Sequence, residues 1–350
     1  MESLTFVSHS RFDGEKDFPE FVSAMHERGY RFTSDLKSAK NLIAFNHSNR
    51  VLKRIRKFRG SNYSLVLVRL EPRTVFATQY KRAVEKNYGL VITMGSIDDN
   101  ESHGLRWPYY VELNPLKPDA GTRKTLRETV KNLSPDSFKL SNWKQRPTLL
   151  SFIASNKVSA TKVGNYSIRR DFVRELSYFG METFGELWTG DLADRIKHRM
   201  SVGLVSLSNG QIPNVIELWG DLNRSYKNTF GSVQDKHQVL VNSKFSLIVE
   251  NDSHYVSEKL IDALLAGTIP FYVGGGLSRV GIPHGLVEEV RSPREVIDFI
   301  TKSNDSEVSR RLERICRFIA NREFIDQWSG EEVYKRLAIR IDAHLRDKKC

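Results

Sequence analysis

The chain has 350 residues, with 54 Lys and Arg against 42 Asp and Glu and a formal net charge of +12. That length suits two domains better than one core, and two cysteines, Cys316 and Cys350, exclude a disulfide framework and a cysteine-based metal cage. No apolar run in the sequence is long enough to span a bilayer, and the surplus positive charge points to an anionic partner.

In chain order, Leu4 to Ser8 reads as a strand, so the start lacks the charged and apolar regions of a signal peptide. His9 follows at the strand's end, where a side chain is placed to face a cleft. Apolar spacing predicts a helix over 18–27, a strand over 41–45 and a helix over 51–57. Ser64 to Leu70 is a near-continuous apolar strand ending in Glu71-Pro72. A carboxylate at the carboxyl tip of a buried strand, followed by proline, sits where open α/β sheets bind ligands. Its alternative role is an ion pair with Arg69 or Arg73. A helix over 78–86 and a strand over 89–94 continue the rhythm of a parallel sheet with crossover helices. Trp107, Tyr109 and Tyr110 are aromatic residues suited to stacking on a sugar ring, and equally to packing beside Pro108. Prolines then accumulate, from Pro115 to Pro147, and a linker is expected over 140–147.

A second α/β unit is expected from Thr148. After it, Arg169 and Arg170 lie on an amphipathic helix carrying Phe172, Leu176 and Phe179. A guanidinium suits phosphate, because its fork donates two parallel hydrogen bonds; the alternative is that both arginines are simply the helix's exposed face.

Lys244 to Gly276 is the most informative stretch. Phe245 to Val249 reads as a buried strand ending in Glu250-Asn251, followed by a short polar loop with Tyr255. Ser257 is the expected N-cap of a helix over 258–266, Gly267 ends it, and Thr268 to Val273 returns as a strand before three glycines. Lys259 in the first helical turn opposes the helix dipole unless an anion lies beside it. Glu258 is a carboxylate able to accept from ribose hydroxyls. Carboxylate, cation and aromatic ring together suit a nucleoside diphosphate.

These residues, FSLIVEN followed by YVSEKLIDALLAGTIPFYVGGG, closely resemble the donor-binding motif of the α-1,3/4-fucosyltransferases, glycosyltransferase family 10. Ser257 stands where that family usually has threonine, and the loop from Asn251 to Tyr255 is short. Weaker matches occur in the family's order: SFIASNK at Ser151, then Arg-x-x-Phe-x-x-x-Leu, which puts Arg169 in the register of a pyrophosphate-binding arginine with Arg170 as the neighbour able to replace it. Glu71 resembles in position the family's proposed catalytic base, although its flanking residues differ.

The resemblance implies a GT-B-like α/β fold: two facing Rossmann-type domains with an interdomain cleft and a helical C-terminal tail. The expected boundaries are 1–142 for the acceptor-side domain, 148–304 for the nucleotide-sugar domain and 305–350 for the charged tail. It implies an inverting transferase using GDP-fucose, with Glu71 as base; Arg169, Arg170, Glu250, Asn251, Tyr255, Ser257, Glu258 and Lys259 would hold the donor, with Trp107, Tyr109 and His9 on the acceptor side. No Asp-x-Asp triplet occurs, so no metal and no further cofactor are expected. With no signal peptide or anchor, a bacterial or viral cytoplasmic form is expected, in contact at most with the surface of an anionic inner membrane. A GT-B enzyme using another nucleotide sugar is the first alternative. A basic nucleic-acid-binding module is the second: VLKRIRKFR from Val51 is a basic cluster, but it reads as an amphipathic helix without any zinc-finger or basic-zipper pattern. Acceptor, linkage and oligomeric state stay open.

Overall fold

A computed structural model of the chain describes residues 2–6, 18–33, 35, 39–47, 49, 52–53, 64–93, 126–159, 164–189, 191–208, 213–222 and 224–347. The chain divides into two compact units, Met1–Tyr110 with Asp326–Cys350, and Val111–Ile325.

Unit 1 contains β1 (Glu2–Phe6), α1 (Pro19–His26), β2 (Tyr30–Phe32), β3 (Asn41–Phe45), β4 (Ser64–Arg69) and β5 (Leu90–Thr93). All the pairings are parallel, in the order β2-β1-β3-β4-β5. Both faces of the sheet are buried, so successive residues serve opposite cores. Ile43, Phe45, Val66 and Val68 join one cluster, and Leu42, Ala44, Leu65 and Leu67 join the other. The first cluster is closed by the C-terminal helix Gly330–Asp347, which lays Val333, Leu337, Ile341 and Leu345 against the sheet and α1. Tyr30 donates to Asp342 Oδ1 of that helix at 2.9 Å.

Two expectations in unit 1 change. Strand β2 was not anticipated, because three residues are too few to show a period. The helix expected over 78–86 is a 3₁₀ turn, Ala77–Tyr80, and a single helical turn, Arg82–Glu85, interrupted by an extended Lys81. Side chains recruit the backbone there. Arg69 donates to Gln79 O at 2.8 Å and pairs with Glu85, while Tyr80 and the Gln79 amide donate to Glu71 O at 2.9 and 3.0 Å. The helix expected over 51–57 lies mostly outside the described residues.

Unit 2 repeats the plan with β6 (Thr148–Ile153), β7 (Met181–Phe184), β8 (Ser243–Val249), β9 (Ile269–Val273) and the short β10 (Glu288–Glu289), parallel throughout in the order β10-β9-β8-β6-β7. Its helices include α2 (Leu140–Lys144), α3 (Tyr166–Leu176), α4 (Leu192–Ser208), α5 (Val215–Trp219), α6 (Lys236–Val241), α7 (Lys259–Leu265), α8 (Pro293–Lys302) and α9 (Asp305–Ile319).

The stretch expected as a linker is structural. Trp143 of α2 is buried edge-on to Phe245 and donates its indole N–H to Lys244 O at 2.8 Å. Arg146, also buried, donates to Ser243 O, Ser137 O and Ala266 O at 2.8, 2.9 and 3.0 Å, and burial brings its pKa down to about 10. Pro147 there directly precedes β6 within a packed unit. The region expected as one tail also divides. In unit 2, α9 buries Val308, Leu312, Ile315 and Ile319 and ties Arg311 to Glu288 at 2.7 Å, whereas the last helix completes unit 1.

Candidate functional site

In each sheet the chain reverses direction of progression beside its first strand: between β1 and β3 in unit 1, and between β6 and β8 in unit 2. Connections leave such a switch point on opposite faces and open a crevice at the carboxyl ends of the two strands. In unit 2 the segment after β6 leads to α3, and the segment after β8 is the motif loop. The topology thus brings Arg169 to the motif, although 80 residues separate it from Val249.

Helix α3 puts Phe172, Val173 and Leu176 into the core. Both arginines are buried with them, at 4 and 3 % exposure, so neither belongs to a solvated face. Arg169 donates to Val249 O through Nε at 3.2 Å and Nη2 at 2.8 Å, and to the Asn251 side-chain oxygen. Its guanidinium lies 4.8 Å from the Tyr166 ring centre. Burial lowers its pKa, while Tyr166 and Glu250 act in the other direction. Arg170 turns away, donating to Asp221 at 3.0 Å and Lys157 O at 3.3 Å. Of the two expected phosphate ligands, the structure brings only Arg169 to the motif.

Glu250 is fully buried. It accepts from the Ser257 N–H at 2.8 Å (Oε1) and from the Ser257 hydroxyl at 2.7 Å (Oε2), and its Oε2 lies 3.5 Å from Lys259 Nζ. The Ser257 hydroxyl in turn accepts from Lys259 at 3.0 Å. Ser257 was expected to cap the helix; instead the cap position falls on Glu258, whose side chain makes no cap bond. The reason is competition: a buried carboxylate immediately after β8 is the stronger partner for a hydroxyl. Glu250 therefore positions Ser257 and Lys259 from behind, and Lys259 keeps a side chain 23 % exposed.

The remaining motif residues form a graded shell. Asn251 O accepts from the Asn165 N–H at 3.1 Å, joining the motif loop to the start of α3. Tyr255 is 5 % exposed, so its ring is packed. Glu258 is partly exposed and 4.0 Å from Lys236 on α6. Asp262, one helical turn on, was not singled out from the sequence. It is buried, its Oδ1 has no hydrogen-bond partner, and burial pushes its pKa up to about 7 against the pull of Lys236 and Lys259. It lines a small cavity with Lys236, Ser246 and Lys259. Its sequence signal was a lone acid in the apolar run LIDALLAG.

In unit 1, Glu71 stands just past β4, partly exposed, with its carbonyl fixed by Gln79 and Tyr80. Arg69 pairs with Glu85. Beside them, Asn46 adopts φ +60° and its side chain accepts from the Leu70 N–H at 2.9 Å. Buried His47, which the sequence did not mark, lies 2.7 Å from Tyr88 Oη and 2.8 Å from Asn49 Oδ1. Burial lowers its pKa, and the hydrogen bond with Asn49 acts in the other direction. His9, Trp107 and Tyr109 lie outside the described residues. Among the described residues no group of three or more His, Cys, Asp or Glu is placed to hold a metal, and no helix is long and apolar enough to cross a membrane.

No protein-family model matches the chain, and a search of curated proteins finds no match. Solved structures do match. A crystal structure of an α1,3-fucosyltransferase aligns over 97 % of this chain and 89 % of its own, with a TM-score of 0.51 and 16 % identity. The Anabaena protein Alr3699/HepE, in complex with UDP and glucose, aligns over 98 % of this chain and 100 % of its own, with a TM-score of 0.54 and 10 % identity. At such identities the likeness is one of fold: two parallel-sheet α/β units with a helical C-terminus, the fold of GT-B glycosyltransferases.

Proposed function

We propose that the protein is a glycosyltransferase that binds a nucleoside diphosphate sugar at the switch point of unit 2, and that the sugar is fucose carried by GDP. The observation behind this reading is the convergence of Arg169, Asn251, Ser257 and Lys259 on the carboxyl end of β8, in a stretch that resembles the fucosyltransferase donor motif. Two cations, one buried and one reaching solvent, are held by neutral carbonyls and a single buried carboxylate. That arrangement leaves positive potential for a diphosphate leaving group without requiring a metal. Glu258, beside them, is assigned to the ribose.

The reaction is an inverting displacement. An acceptor hydroxyl oxygen attacks the anomeric carbon, the bond from that carbon to the β-phosphate oxygen breaks, and GDP leaves with the electron pair. The acceptor proton passes to a carboxylate base, assigned to Glu71. Charge accumulates on the diphosphate as the bond breaks, so Arg169 and Lys259 act most strongly in the transition state.

A second donor, a UDP-hexose, is retained because Glu258 and Lys259 read the ribose and diphosphate rather than the base or the sugar. Calorimetric titration with GDP, UDP and ADP tests both readings. Tight binding of GDP alone supports the fucosyl reading, preference for UDP transfers it to the second donor, and no affinity for any of the three ends the transferase reading. Labelled GDP-fucose with N-acetyllactosamine-type acceptors then tests transfer itself.

A further inference from the structure

A second concentration of positive charge lies on the other side of α3. Arg170 of α3, Arg195 and Arg199 of α4, and Arg224 gather around one carboxylate, Asp221, and the hydroxyl of Tyr226. Asp221 accepts from Arg170 Nε and lies 3.0 Å from Arg224 Nε, so its two oxygens are committed to two of the four guanidiniums. Among the described residues the other two are held by carbonyls: Arg195 by Arg224 O at 2.8 Å, and Arg199, 2 % exposed, by Leu218 O. Arg195 and Arg199 are also spaced i, i+4, where like charges repel along a helix.

Burying a guanidinium without a counter-ion is costly, and buried Arg199 has Arg170 and Arg195 beside it, with Asp221 as the described carboxylate that offsets them. Among the described residues two donors in the cluster also lack an acceptor, since Arg195 Nε and Tyr226 Oη are both buried without a hydrogen-bond partner. Tyr226 is held in place by Trp188, edge-on at 5.0 Å. An added apolar group would leave these donors unsatisfied and the charge uncompensated; a tetrahedral oxyanion answers both. We infer that Arg195, Arg199, Arg224 and Tyr226 form a binding site for a phosphate group, distinct from the pair Arg169 and Lys259. Arg195 and Arg224 are its solvent-facing members, and Arg199 is its buried floor. The phosphate is either inorganic or the phosphoryl group of a larger ligand.

The test is titration of the full-length protein with inorganic phosphate, followed by calorimetry and by the thermal unfolding midpoint, with chloride at equal ionic strength as control. Phosphate is expected to bind and to raise the midpoint beyond chloride. Tyr226→Phe and Arg195→Gln each should weaken it about tenfold, the loss of one charge-assisted hydrogen bond. Arg195→Gln should also raise the midpoint in phosphate-free buffer, because it removes unmatched charge, which a merely structural arginine would not do. Neither variant alters a residue of the donor motif, so GDP affinity should stay at the wild-type level in both, and failure of GDP to bind anywhere would not touch the phosphate result. A sugar 1-phosphate that binds more tightly than inorganic phosphate identifies a ligand's phosphoryl group, and the reverse identifies the free ion. Phosphate acting no differently from chloride, or both variants binding like the wild type, would overturn the assignment.

Discussion

Lys259 illustrates how a side chain acquires a role through what stands behind it. Its ammonium is held by the Ser257 hydroxyl and the Glu250 carboxylate, both almost inaccessible to water, while its own side chain stays partly exposed. Lys259→Ala is therefore expected to weaken GDP binding about ten- to a hundredfold, read by calorimetry. Glu71→Gln should instead reduce kcat by a factor on the order of 10² or more while GDP affinity stays near wild type; near-normal turnover would remove Glu71 as the base. Asp262 gives a pH signature. Its carboxyl is pushed up from 3.8 to about 7, so the folded protein keeps a proton that the unfolded chain has lost. Stability from this group thus declines as pH rises from about 4 to about 7 and is level above, by a total on the order of 4 kcal/mol. Asp262→Asn should flatten that decline, checked by urea midpoints at pH 5 and pH 8. The motif itself was legible because its polar residues are contiguous. Ser257 was misread as a cap because sequence spacing cannot show that Glu250 turns inward toward it. Asp262 was passed over because an acid inside a short helix looks like any other until its burial is known.

Among the elements, the helices of unit 2 carry their start signals openly. In α8, Ser292 Oγ accepts from the Glu295 N–H, and Glu295 Oε2 accepts from the Arg291 N–H at 2.9 Å, a reciprocal box at the helix entrance. Ser292→Ala should cost about 1 kcal/mol of unit 2 stability, read as a lower urea midpoint with unchanged slope. The strands β3, β4, β8 and β9 were placed from sequence within two residues of their observed ends, because buried parallel strands are uninterrupted apolar runs. The elements missed are those whose form is decided by distant partners. Residues 140–147 looked like a linker at the end of a run in which prolines accumulate, yet Trp143 and Arg146 are anchored to Lys244, Ser243 and Ala266, about a hundred residues on. Residues 78–86 looked helical, yet Arg69 takes up the Gln79 carbonyl that a regular helix would use, and the Gln79 and Tyr80 side chains tie the segment to Glu71.

For the whole molecule, the two-unit α/β plan follows from the alternating elements and was readable in advance. The path of the chain was not. The final helix looked like part of a detached tail, but Val333, Leu337, Ile341 and Leu345 form part of the wall of the N-terminal core, together with Phe21 and Met25. Charge on its outer face concealed that stripe. A chain ending before Gly330 should therefore lose protection of residues 2–93 against limited proteolysis while a fragment near 126–319 stays resistant; equal resistance of both parts would contradict the packing.

The same connectivity bears on how the protein is made. Unit 1 begins with the first strand and closes only with the last helix, and unit 2 is contained entirely between them. A nascent chain emerging from the ribosome can complete the second sheet while the first still lacks one side of its core. The unit that is translated first is thus the one that matures last, and until Gly330–Asp347 emerges its apolar strands are in need of shelter.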